Sequence, residues 1–483
     1  MLDGVSAPAS LPAAPSQNPL ARIGRDLRHQ AREGRHFPPG NTRLNPALTK
    51  QFASDPMPIL LDSYERYGPV FSVRILHALQ VFVLGPEANH YVTVSHASNF
   101  RWRDGGFDEL APLLGSGLLN IDGAYHRQAR KIMLPGFHRT QIAASAGVMF
   151  EEVEGALDRL KPGQALDVYG WARTLAMRIA MRALLGLDPD GQGVGARAAI
   201  EFENALHFFG IDFHLRILRG RGSPWAKMLR ARDKLDAIVY AEIARRRRNG
   251  VGESDILDML LAATDDDGRP LSDREVRDQA ITLLFAGHDT TTSTISFMFY
   301  ELALHPREQE LLLEEQDRLL DGRVPGAGDL AGGLPRLEMV LDETLRLYPP
   351  AWVGPRRCTE PFELLGRHVP GEALVNYSSW VSHRLPDVWP DPEAFVPERF
   401  APAAKAALAK GAYVPFGGGS RTCIGMRFGQ MEVRAIATMI LRRFRLELRA
   451  GYTLDIRQMP TLSPRHGLPM TVREASRRST LVD

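Results

Sequence analysis

Apolar residues recur at three- and four-residue spacing over most of the chain. That spacing follows the 3.6-residue turn of an α-helix, so each such stretch predicts an amphipathic helix. The predicted helices cover 124–134, 141–160, 171–187, 226–249, 272–304, 306–320, 335–347 and 424–444. Strand-like patterns are shorter and occupy 70–75, 81–84 and parts of 362–376 and 444–472. The pattern therefore predicts a mostly α protein with small β-sheets, of the α+β class.

The predicted helix at 272–304 is unusually long. Ser272 and Glu275 form a capping-box pattern at its start, and His305 followed by proline ends it. At 1.5 Å per residue it would extend about 50 Å, across a whole domain. Its middle, 285–292, contains a glycine and three consecutive threonines, which are poor helix formers. Two readings stay open: a tolerated bend with threonines bonded back to carbonyl groups, or a groove where something large approaches the backbone.

The first 36 residues differ in composition from the rest. Met1–Pro19 is rich in alanine, proline and serine, and the segment that follows is basic, with Arg22, Arg25, Arg28, Arg32 and Arg35. We predict a mobile tail over 1–36, with a surface-attaching arm as the alternative. From 37 to 483 neither a repeat nor a flexible linker divides the chain, which predicts a single domain.

Composition narrows the function classes. The chain has 44% apolar and 24% charged residues, as globular proteins do, and its formal charge of +2 gives no reason to expect nucleic-acid binding. No apolar run is long enough to predict a transmembrane segment. Only Cys358 and Cys423 are cysteines, which excludes a disulfide-built scaffold and favours a reducing compartment. We therefore expect a cytoplasmic protein, with peripheral membrane association left open.

The strongest chemical signal is the segment 416–425, Phe-Gly-Gly-Gly-Ser-Arg-Thr-Cys-Ile-Gly. Its glycines permit positive φ and close approach to a flat ligand. Cys423 precedes the predicted helix 424–444, where backbone N–H groups and the helix dipole favour a thiolate. A thiolate is a strong axial ligand for haem iron. A buried free cysteine is the competing interpretation.

This segment resembles the haem-binding loop of the cytochrome P-450 family, Phe-x-x-Gly-x-Arg-x-Cys-x-Gly. Three further segments resemble family motifs in the same order: the Glu-x-x-Arg helix, the Arg-bearing turn after it, and the oxygen-binding groove. They are 343–346, 397–400 and 286–291. The resemblance covers about 37–472. It implies the cytochrome P-450 fold, with the long central helix over a haem and the cysteine loop beneath it.

The resemblance also implies the residues around haem b. Cys423 would be the iron ligand, and the other contacts would be Phe416, Gly417, Gly425, Ala286 and Gly287, with propionate donors His126, Arg130, Arg356 and Arg421. Either Arg356 or Arg357 fits the propionate position, and family spacing favours Arg356. Position 126 is histidine where the family often has tryptophan. Glu343, Arg346 and Arg399 would form a structural network under the haem.

The implied activity is that of a monooxygenase, which inserts one atom of O2 into a substrate by hydroxylation or epoxidation. Asp289 and Thr290 would relay protons to the oxygen. Nothing in the chain resembles a flavin or iron–sulfur domain, so electrons would come from NAD(P)H through a reductase and a ferredoxin or flavodoxin. A basic face that could dock this partner comprises Arg127, Lys131, Arg139 and Arg427. Scattered solvated cations are the alternative.

The expected substrate is a lipophilic small molecule such as a fatty acid, terpenoid, steroid or polyketide. The predicted pocket lining is Phe208, Phe209, Phe285, Trp352, Val353 and Leu462, although the paired phenylalanines could equally be core residues. We expect a monomer. Three competing functions remain: a non-oxygenating haem enzyme of the same fold (isomerase, dehydratase or peroxygenase), a non-catalytic haem-binding sensor, and a haem-free enzyme with a cysteine nucleophile.

Overall fold

The computed structural model describes residues 18–190, 193–211, 213–252 and 255–475. Helices dominate these ranges. They are α1 Pro19–Glu33, α2 Pro46–Ser54, α3 Met57–Tyr67, α4 Pro86–His90, α5 Ala111–Leu114, α6 Gly123–Met133, α7 Arg139–Leu157, α8 Val168–Leu185, α9 Val194–Gly210, α10 Phe213–Arg216, α11 Pro224–Asn249, α12 Ile256–Ala262, α13 Asp273–Leu304, α14 Pro306–Leu320, α15 Pro335–Leu347, α16 Ser379–Ser382, α17 Pro402–Ala407 and α18 Met426–Arg443.

The strands are short and lie mostly at one side of the helices. They are β1 Gly40–Asn41, β2 Val70–Ile75, β3 Ala78–Val83, β4 Phe100–Arg101, β5 Ala165–Asp167, β6 Gly354–Cys358, β7 Phe362–Leu364, β8 Arg367–Val369, β9 Leu374–Tyr377, β10 Phe444–Leu448, β11 Ile456–Arg457, β12 Ser463–Pro464 and β13 Pro469–Glu474. The largest sheet has the order β1-β2-β3-β9-β6-β4. In it, Arg356 of β6 pairs with Val375 and Arg357 with Leu374. The predicted α+β class is confirmed.

The eight helices predicted from periodicity all exist, as α6, α7, α8, α11, α13, α14, α15 and α18. Helix α13 has both halves of the Ser272–Glu275 capping box and runs for 32 residues as α-helix. It packs against α8, α15 and α18, and every residue from 276 to 299 is buried except four near its middle. The structure supports the first reading of its threonines, because Thr290 Oγ1 donates to the Ala286 carbonyl at 2.7 Å and Thr292 Oγ1 to the His288 carbonyl at 2.9 Å.

The predicted tail requires a correction. Residues 19–33 form helix α1, which is held against the body of the protein because its polar side chains find partners there. His29 Nε2 lies 2.7 Å from the Gly371 carbonyl oxygen, and Gln30 donates to the His77 carbonyl at 2.7 Å. The boundary at residue 36 therefore does not separate an unattached segment from the domain. Residues 1–17 of the predicted tail lie outside the described residues.

Candidate functional site

The cysteine loop is shaped by two glycines with positive φ, Gly417 and Gly419, and by backbone hydrogen bonds. Gly417 has φ +70°, a conformation that L side chains rarely adopt. The Cys423 N–H then donates to the Phe416 carbonyl at 3.0 Å, which closes the loop. Gly425 is the N-cap of α18, so the first free N–H groups of that helix lie beside the cysteine. The backbone carbonyl of residue 416 and the glycine at 417 therefore determine the shape of the loop.

Gly418 and Gly419 are required for packing within the protein rather than for space around a ligand. A Cβ at Gly418 would lie 2.7 Å from Thr93 Oγ1, and one at Gly419 would lie 2.4 Å from the Thr93 carbonyl oxygen. Both distances are too short for a real contact, so only glycine lets the loop pack against the segment 91–95. The prediction that all three glycines admit a flat ligand is therefore incomplete.

The Cys423 side chain is accessible, although it lies deep within the protein. Its sulfur consequently faces an internal space. Burial raises the pKa of the Cys423 thiol, while the N–H groups of Gly425 and Met426 and the charge of Arg130 oppose that rise. The N-terminus of α18 alone therefore does not stabilise the thiolate that the sequence predicts. A metal cation would be needed to hold the sulfur deprotonated.

The middle of α13 borders an internal space as well. Between 276 and 299 only Phe285, Ala286, Gly287 and Thr290 are accessible. One turn further on, Thr291 Oγ1 donates to Glu432 Oε2 of α18 at 3.2 Å, which joins α13 to the helix that follows Cys423. A Cβ at Gly287 would meet only Leu184 Cδ1 of α8, at an ordinary 3.6 Å. Gly287 is therefore less strictly required for space than the resemblance implies.

Cations converge around the cysteine loop with few anions to balance them. His126 and Arg130 lie on α6, and their side chains make no hydrogen bond or ion pair with other described residues. Burial, with Arg421 and Arg130 nearby, lowers the pKa of His126 to about 3, so the imidazole is neutral. Burial also lowers the pKa of Arg130. Such a group of donors is incomplete without an anionic ligand.

Arg356 and Arg357 have opposite roles because successive residues of strand β6 face opposite ways. Arg357 is engaged by the protein: it donates to the Glu372 carbonyl at 2.6 Å and to Asp26 of α1 at 3.3 Å. Arg356 instead lies over the Trp102 ring, 3.5 Å from its centroid, donates to the Pro355 carbonyl and has Tyr377 as a further polar neighbour, but it has no ion pair with other described residues. Burial lowers the pKa of Arg356 to about 10. Of the two, Arg356 is the one available to a propionate.

Arg421 is shared between the protein and the same space. Its Nη2 lies 2.6 Å from Asp122 Oδ1, and its guanidinium is 5.1 Å from the Trp102 centroid. Burial lowers the pKa of Arg421 to about 10 in spite of Asp122. Arg356, Arg421, Trp102, Tyr377 and Gly417 line one small cavity. A pocket with two destabilised guanidinium groups and aromatic walls suits a planar ligand that carries carboxylates.

These observations fit a haem. Its iron would be bound by Cys423, its carboxylates by Arg130, Arg356, Arg421 and His126, and its distal face would lie toward the accessible stretch of α13. The thiol that burial keeps neutral, and the guanidinium groups of Arg130 and Arg356, which have no ion pair with other described residues, each carry a cost that such a group relieves.

The predicted network under the loop is brought together in full. Arg346 donates to both carboxylate oxygens of Glu343, at 2.7 and 2.8 Å, and both side chains are completely buried. Arg399 Nε lies 3.5 Å from Glu343 Oε1. Arg346 also donates to the carbonyl groups of His383, Pro392 and Ala394 at 2.7–3.0 Å. Every part of this cation is therefore bonded within the protein.

His383 was missed at the sequence level. Its Nδ1 lies 3.2 Å from the Arg346 carbonyl oxygen, and its Nε2 accepts from the Val414 N–H at 2.9 Å. A carbonyl only accepts and an N–H only donates, so the ring must be the neutral Nδ1–H tautomer. Burial lowers the pKa of His383 to about 3. It thereby ties the Glu343–Arg346 helix to the residues just before the cysteine loop, a link between segments that no local pattern reveals.

Glu432 was also missed at the sequence level. It is fully buried on α18, and burial raises its pKa to about 8, so it is a neutral acid at pH 7. Its Oε2 accepts from Thr291, while its Oε1 has no hydrogen-bond partner among the described residues. A charged residue at a core-facing position of the pattern was the available signal.

Asp289 and Thr290 face different surroundings. Thr290 is accessible on the cavity side of α13, whereas the Asp289 carboxylate is buried and lies 2.5 Å from Arg173 Nη1 of α8. Arg173 in turn lies 2.7 Å from Glu203 of α9, which is partly exposed. Asp289 therefore connects the middle of α13 to the surface through ion pairs. Its carboxylate does not lie free in the cavity beside the Thr290 hydroxyl, as the predicted acid–alcohol pair requires.

Only part of the predicted pocket lining borders open space. Phe285 and Val353 are partly accessible, while the other four predicted residues are buried. Phe208 and Phe209 meet edge to face at 5.2 Å, and Phe208 packs on Trp225 of α11. The indole N–H of Trp352 donates to the Gln458 carbonyl. The core alternative therefore describes Phe208 and Phe209, and Trp352 and Leu462, which were predicted as pocket lining, are buried too.

The four cations predicted as a docking face are all exposed. Lys131 is paired with Asp266 at 2.6 Å, which reduces its contribution to a positive field. Arg127, Arg139 and Arg427 have no ion pair with other described residues. Within the described part of the chain, no helix is long and apolar enough to cross a membrane.

Comparison with known proteins agrees with this geometry. Residues 40–468 match the family model described as cytochrome P-450. The chain is 35% identical over 407 residues to cyclooctat-9-en-7-ol 5-monooxygenase of Streptomyces melanosporofaciens, covering 82% of this chain and 86% of that one. Cyclooctatin synthase of the same organism is 34% identical over 74% of this chain and 78% of its own. The crystal structure of cyanobacterial CYP120A1 with bound retinoic acid has a TM-score of 0.81 and 30% identity, covering 91% and 99% of the two chains.

Proposed function

Because the chain belongs to the cytochrome P-450 family, we propose that it inserts one atom of O2 into a lipophilic small molecule, with electrons from separate redox proteins. The observation that carries the proposal is the Cys423 sulfur, which lies deep within the protein yet is accessible, with Arg130 nearby and with Arg356 and Arg421 lining a cavity beside the same loop. When bound, the haem supplies the reductive activation of O2. The chain's own residues hold that group, exclude water and deliver protons.

The first experiment tests the sulfur ligand. The reduced protein exposed to carbon monoxide should show the red-shifted absorption band of thiolate ligation. Cys423→Ser should abolish that band and product formation together. Cys358→Ser is the matched control, since Cys358 is buried beside the carbonyl of Pro370 and should leave both unchanged. A Cys423→Ser protein with the parent's spectrum and activity would refute the proposal.

Proton delivery is assigned to Thr290 Oγ1 and to the Asp289 carboxylate. Thr290 is the accessible threonine of α13, and its hydroxyl is held by a hydrogen bond to the Ala286 carbonyl. We expect Thr290→Ala to release several times more peroxide per electron consumed. Thr292→Ala is the matched control, because Thr292 makes the same backbone bond but is fully buried. Equal peroxide release from both variants would remove Thr290 from the mechanism.

The electron donor is proposed to dock where Arg127, Arg139 and Arg427 are exposed, near the cysteine loop. Three unpaired cations suit an acidic ferredoxin or flavodoxin. The rate of the first reduction should fall as ionic strength rises, and Arg427→Glu should lower it further. A rate that does not depend on salt would favour the alternative of scattered solvated cations.

We propose that the substrate is an unsaturated terpenoid that carries a polar group. Two similar proteins support this class: one is named for an unsaturated cyclic alcohol, and the other has retinoic acid bound. A library of fatty acids, terpenoids, steroids and polyketides should be screened for the Soret shift that follows displacement of water from iron. Each hit is then tested for O2-dependent, reductase-dependent turnover. Hits that shift the band without turnover would favour a sensor, and turnover with peroxide alone a peroxygenase.

A further inference from the structure

Helix α6 begins at an aspartate that does not cap it. Asp122 occupies the N-cap position, but its side chain accepts no N–H group of that helix. An N-cap aspartate normally does so, because the first N–H groups of a helix have no partner within it. The Asp122 carboxylate is bonded instead to two other segments of the chain. Its role therefore lies outside α6.

Three segments that are far apart in the sequence meet at this carboxylate. Asp122 Oδ1 accepts from Arg421 Nη2 at 2.6 Å and from the Trp102 N–H at 3.0 Å. Oδ2 accepts from the N–H groups of Trp102 and Arg103, at 3.1 and 3.0 Å. Asp122 thus joins the start of α6 to the cysteine loop and to the segment that follows strand β4.

These bonds orient Arg421. Its Nη2 also donates to the Ile121 carbonyl at 2.7 Å, so both N–H groups of this nitrogen are engaged. The Nε and Nη1 atoms of Arg421 make no hydrogen bond with other described residues, and their N–H groups are left for a carboxylate of haem. Trp102, whose ring lies 3.5 Å from the Arg356 guanidinium, is held at its backbone by the same Asp122. One carboxylate consequently fixes the surroundings of both cations.

The charge of Asp122 also acts on both cations. Burial lowers the pKa of Arg356 and of Arg421, and Asp122 is the only carboxylate among the described residues that opposes this change in both. Its side chain is 23% exposed, so water screens the charge only in part. A negative charge near haem favours the ferric state, which carries one more positive charge than the ferrous state.

We infer that Asp122 is a positioning residue of the haem site, which holds Arg421 and the Trp102 segment in place for the haem carboxylates and lowers the reduction potential of the haem iron. This role rests on the proposed function, because it requires bound haem. A tie that only joins loops is the competing role. Such a tie would contribute to stability but would leave the reduction potential unchanged.

Asp122→Asn preserves the size of the side chain but has one acceptor oxygen and no charge. In the full-length, haem-loaded protein, the ratio of ferrous to ferric iron at the parent's midpoint potential should rise about three- to ten-fold. Haem transfer to an acceptor protein should show about ten-fold weaker retention. Asp104→Asn is the matched control and should match the parent in both measurements. Asp104 is 29% exposed and lies 3.2 Å from Arg101, but its charge acts on neither Arg356 nor Arg421.

A double-mutant cycle with Arg421→Gln tests whether Asp122 acts through that arginine. In the Arg421→Gln background, Asp122→Asn should change haem retention by less than about two-fold. A full ten-fold change there would overturn the inference. An Asp122→Asn protein that is less stable but has the parent's potential and retention would overturn it too, as would equal shifts from Asp104→Asn.

Asp122→Glu separates charge from position and serves also if the asparagine variant does not fold. It keeps the carboxylate, so the ratio of ferrous to ferric iron should stay at the parent's value while haem retention falls. An altered ratio with normal retention would contradict the role of the charge. The parent's absorption band with carbon monoxide distinguishes the two proposals: its absence would refute the proposed function, whereas unchanged Asp122 variants of a parent that shows the band would refute only this inference.

Discussion

Arg346 and Arg356 are both buried near the cysteine loop, but their surroundings differ. Arg346 donates to Glu343 twice and to three backbone carbonyl groups, so its charge and its N–H groups are satisfied. Arg356 has a single carbonyl partner and the faces of Trp102 and Tyr377, and burial lowers its pKa to about 10. Both are arginines that sequence patterns place near the haem.

The difference separates a structural cation from a binding cation. A buried charge that the protein satisfies by itself contributes to the fold and has nothing left to offer a ligand. A buried charge without an anion is a cost to the empty fold, and a carboxylate that arrives with a ligand relieves it. The balance of partners, more than burial, therefore indicates which arginine holds a haem propionate.

The largest expected effect comes from breaking the satisfied cluster. Arg346→Ala should lower the free energy of unfolding by about 3–5 kcal/mol, because Glu343 and three carbonyl groups lose their partner in the interior. Chemical denaturation measures this loss. Arg399→Ala is the control and should cost about 1 kcal/mol, since Arg399 is only at the edge of the cluster. Equal losses of unfolding free energy in the two variants would contradict the distinction between Arg346 at the centre of the cluster and Arg399 at its edge.

Removing Arg356, the cation without an anionic partner, should not lower the stability of the haem-free protein as the loss of Arg346 does. Arg356→Met should leave the haem-free protein as stable as the parent or more stable, while haem dissociation becomes about ten- to hundred-fold more favourable. Unfolding curves and haem transfer to an acceptor protein measure the two effects. Arg357→Met should instead destabilise the fold by about 2 kcal/mol, since it breaks bonds to Glu372 and Asp26. A destabilised Arg356→Met protein with normal haem affinity would refute the comparison.

Acid should weaken the satisfied cluster through His383. Its folded pKa, about 3, is below the unfolded value near 6.5, so the neutral ring contributes stability that is complete above pH 6.5 and is lost as pH falls toward 3. At pH 5 the loss is about 2 kcal/mol. In His383→Gln the loss of stability between pH 7.5 and pH 5 should be smaller by about 2 kcal/mol, and the part that remains comes from His126 and His288, whose pKa values burial also lowers. His207→Gln, at an exposed position, should retain the full loss. Denaturation at pH 7.5 and pH 5 measures the difference.

The smallest expected effect concerns the aromatic support of Arg356. Trp102→Leu should weaken haem binding by about five-fold, because a cation–π contact of about 1 kcal/mol is lost. Trp102→Phe keeps a ring and should fall between the parent and the leucine variant. Haem titration of the three proteins measures this order. Identical affinities would show that the guanidinium is held by other contacts.

Features whose residues lie close together in the sequence could be predicted from it. Glu343 and Arg346 are three residues apart on one helix, and the capping box of α13 lies within four residues, so both could be identified from the sequence. Helix α1 was missed because its basic composition was interpreted as a tail, although Leu20, Ile23 and Leu27 have helical spacing. Trp102 and His383 could not be recognised, since their partners are brought together by strand pairing and loop packing far along the chain. The direction of Asp289 depends on Arg173 of another helix.

Strand β6 links two parts of the molecule that the sequence separates widely. Because Arg356 points to one side and Arg357 to the other, a displacement of α1 would pull on Arg357 and so shift the wall that holds Arg356. A shortened chain starting at Phe37 would leave Arg357 without Asp26. We therefore expect such truncation to loosen cofactor retention, so preparations for spectroscopy or crystallisation should keep the leading helix.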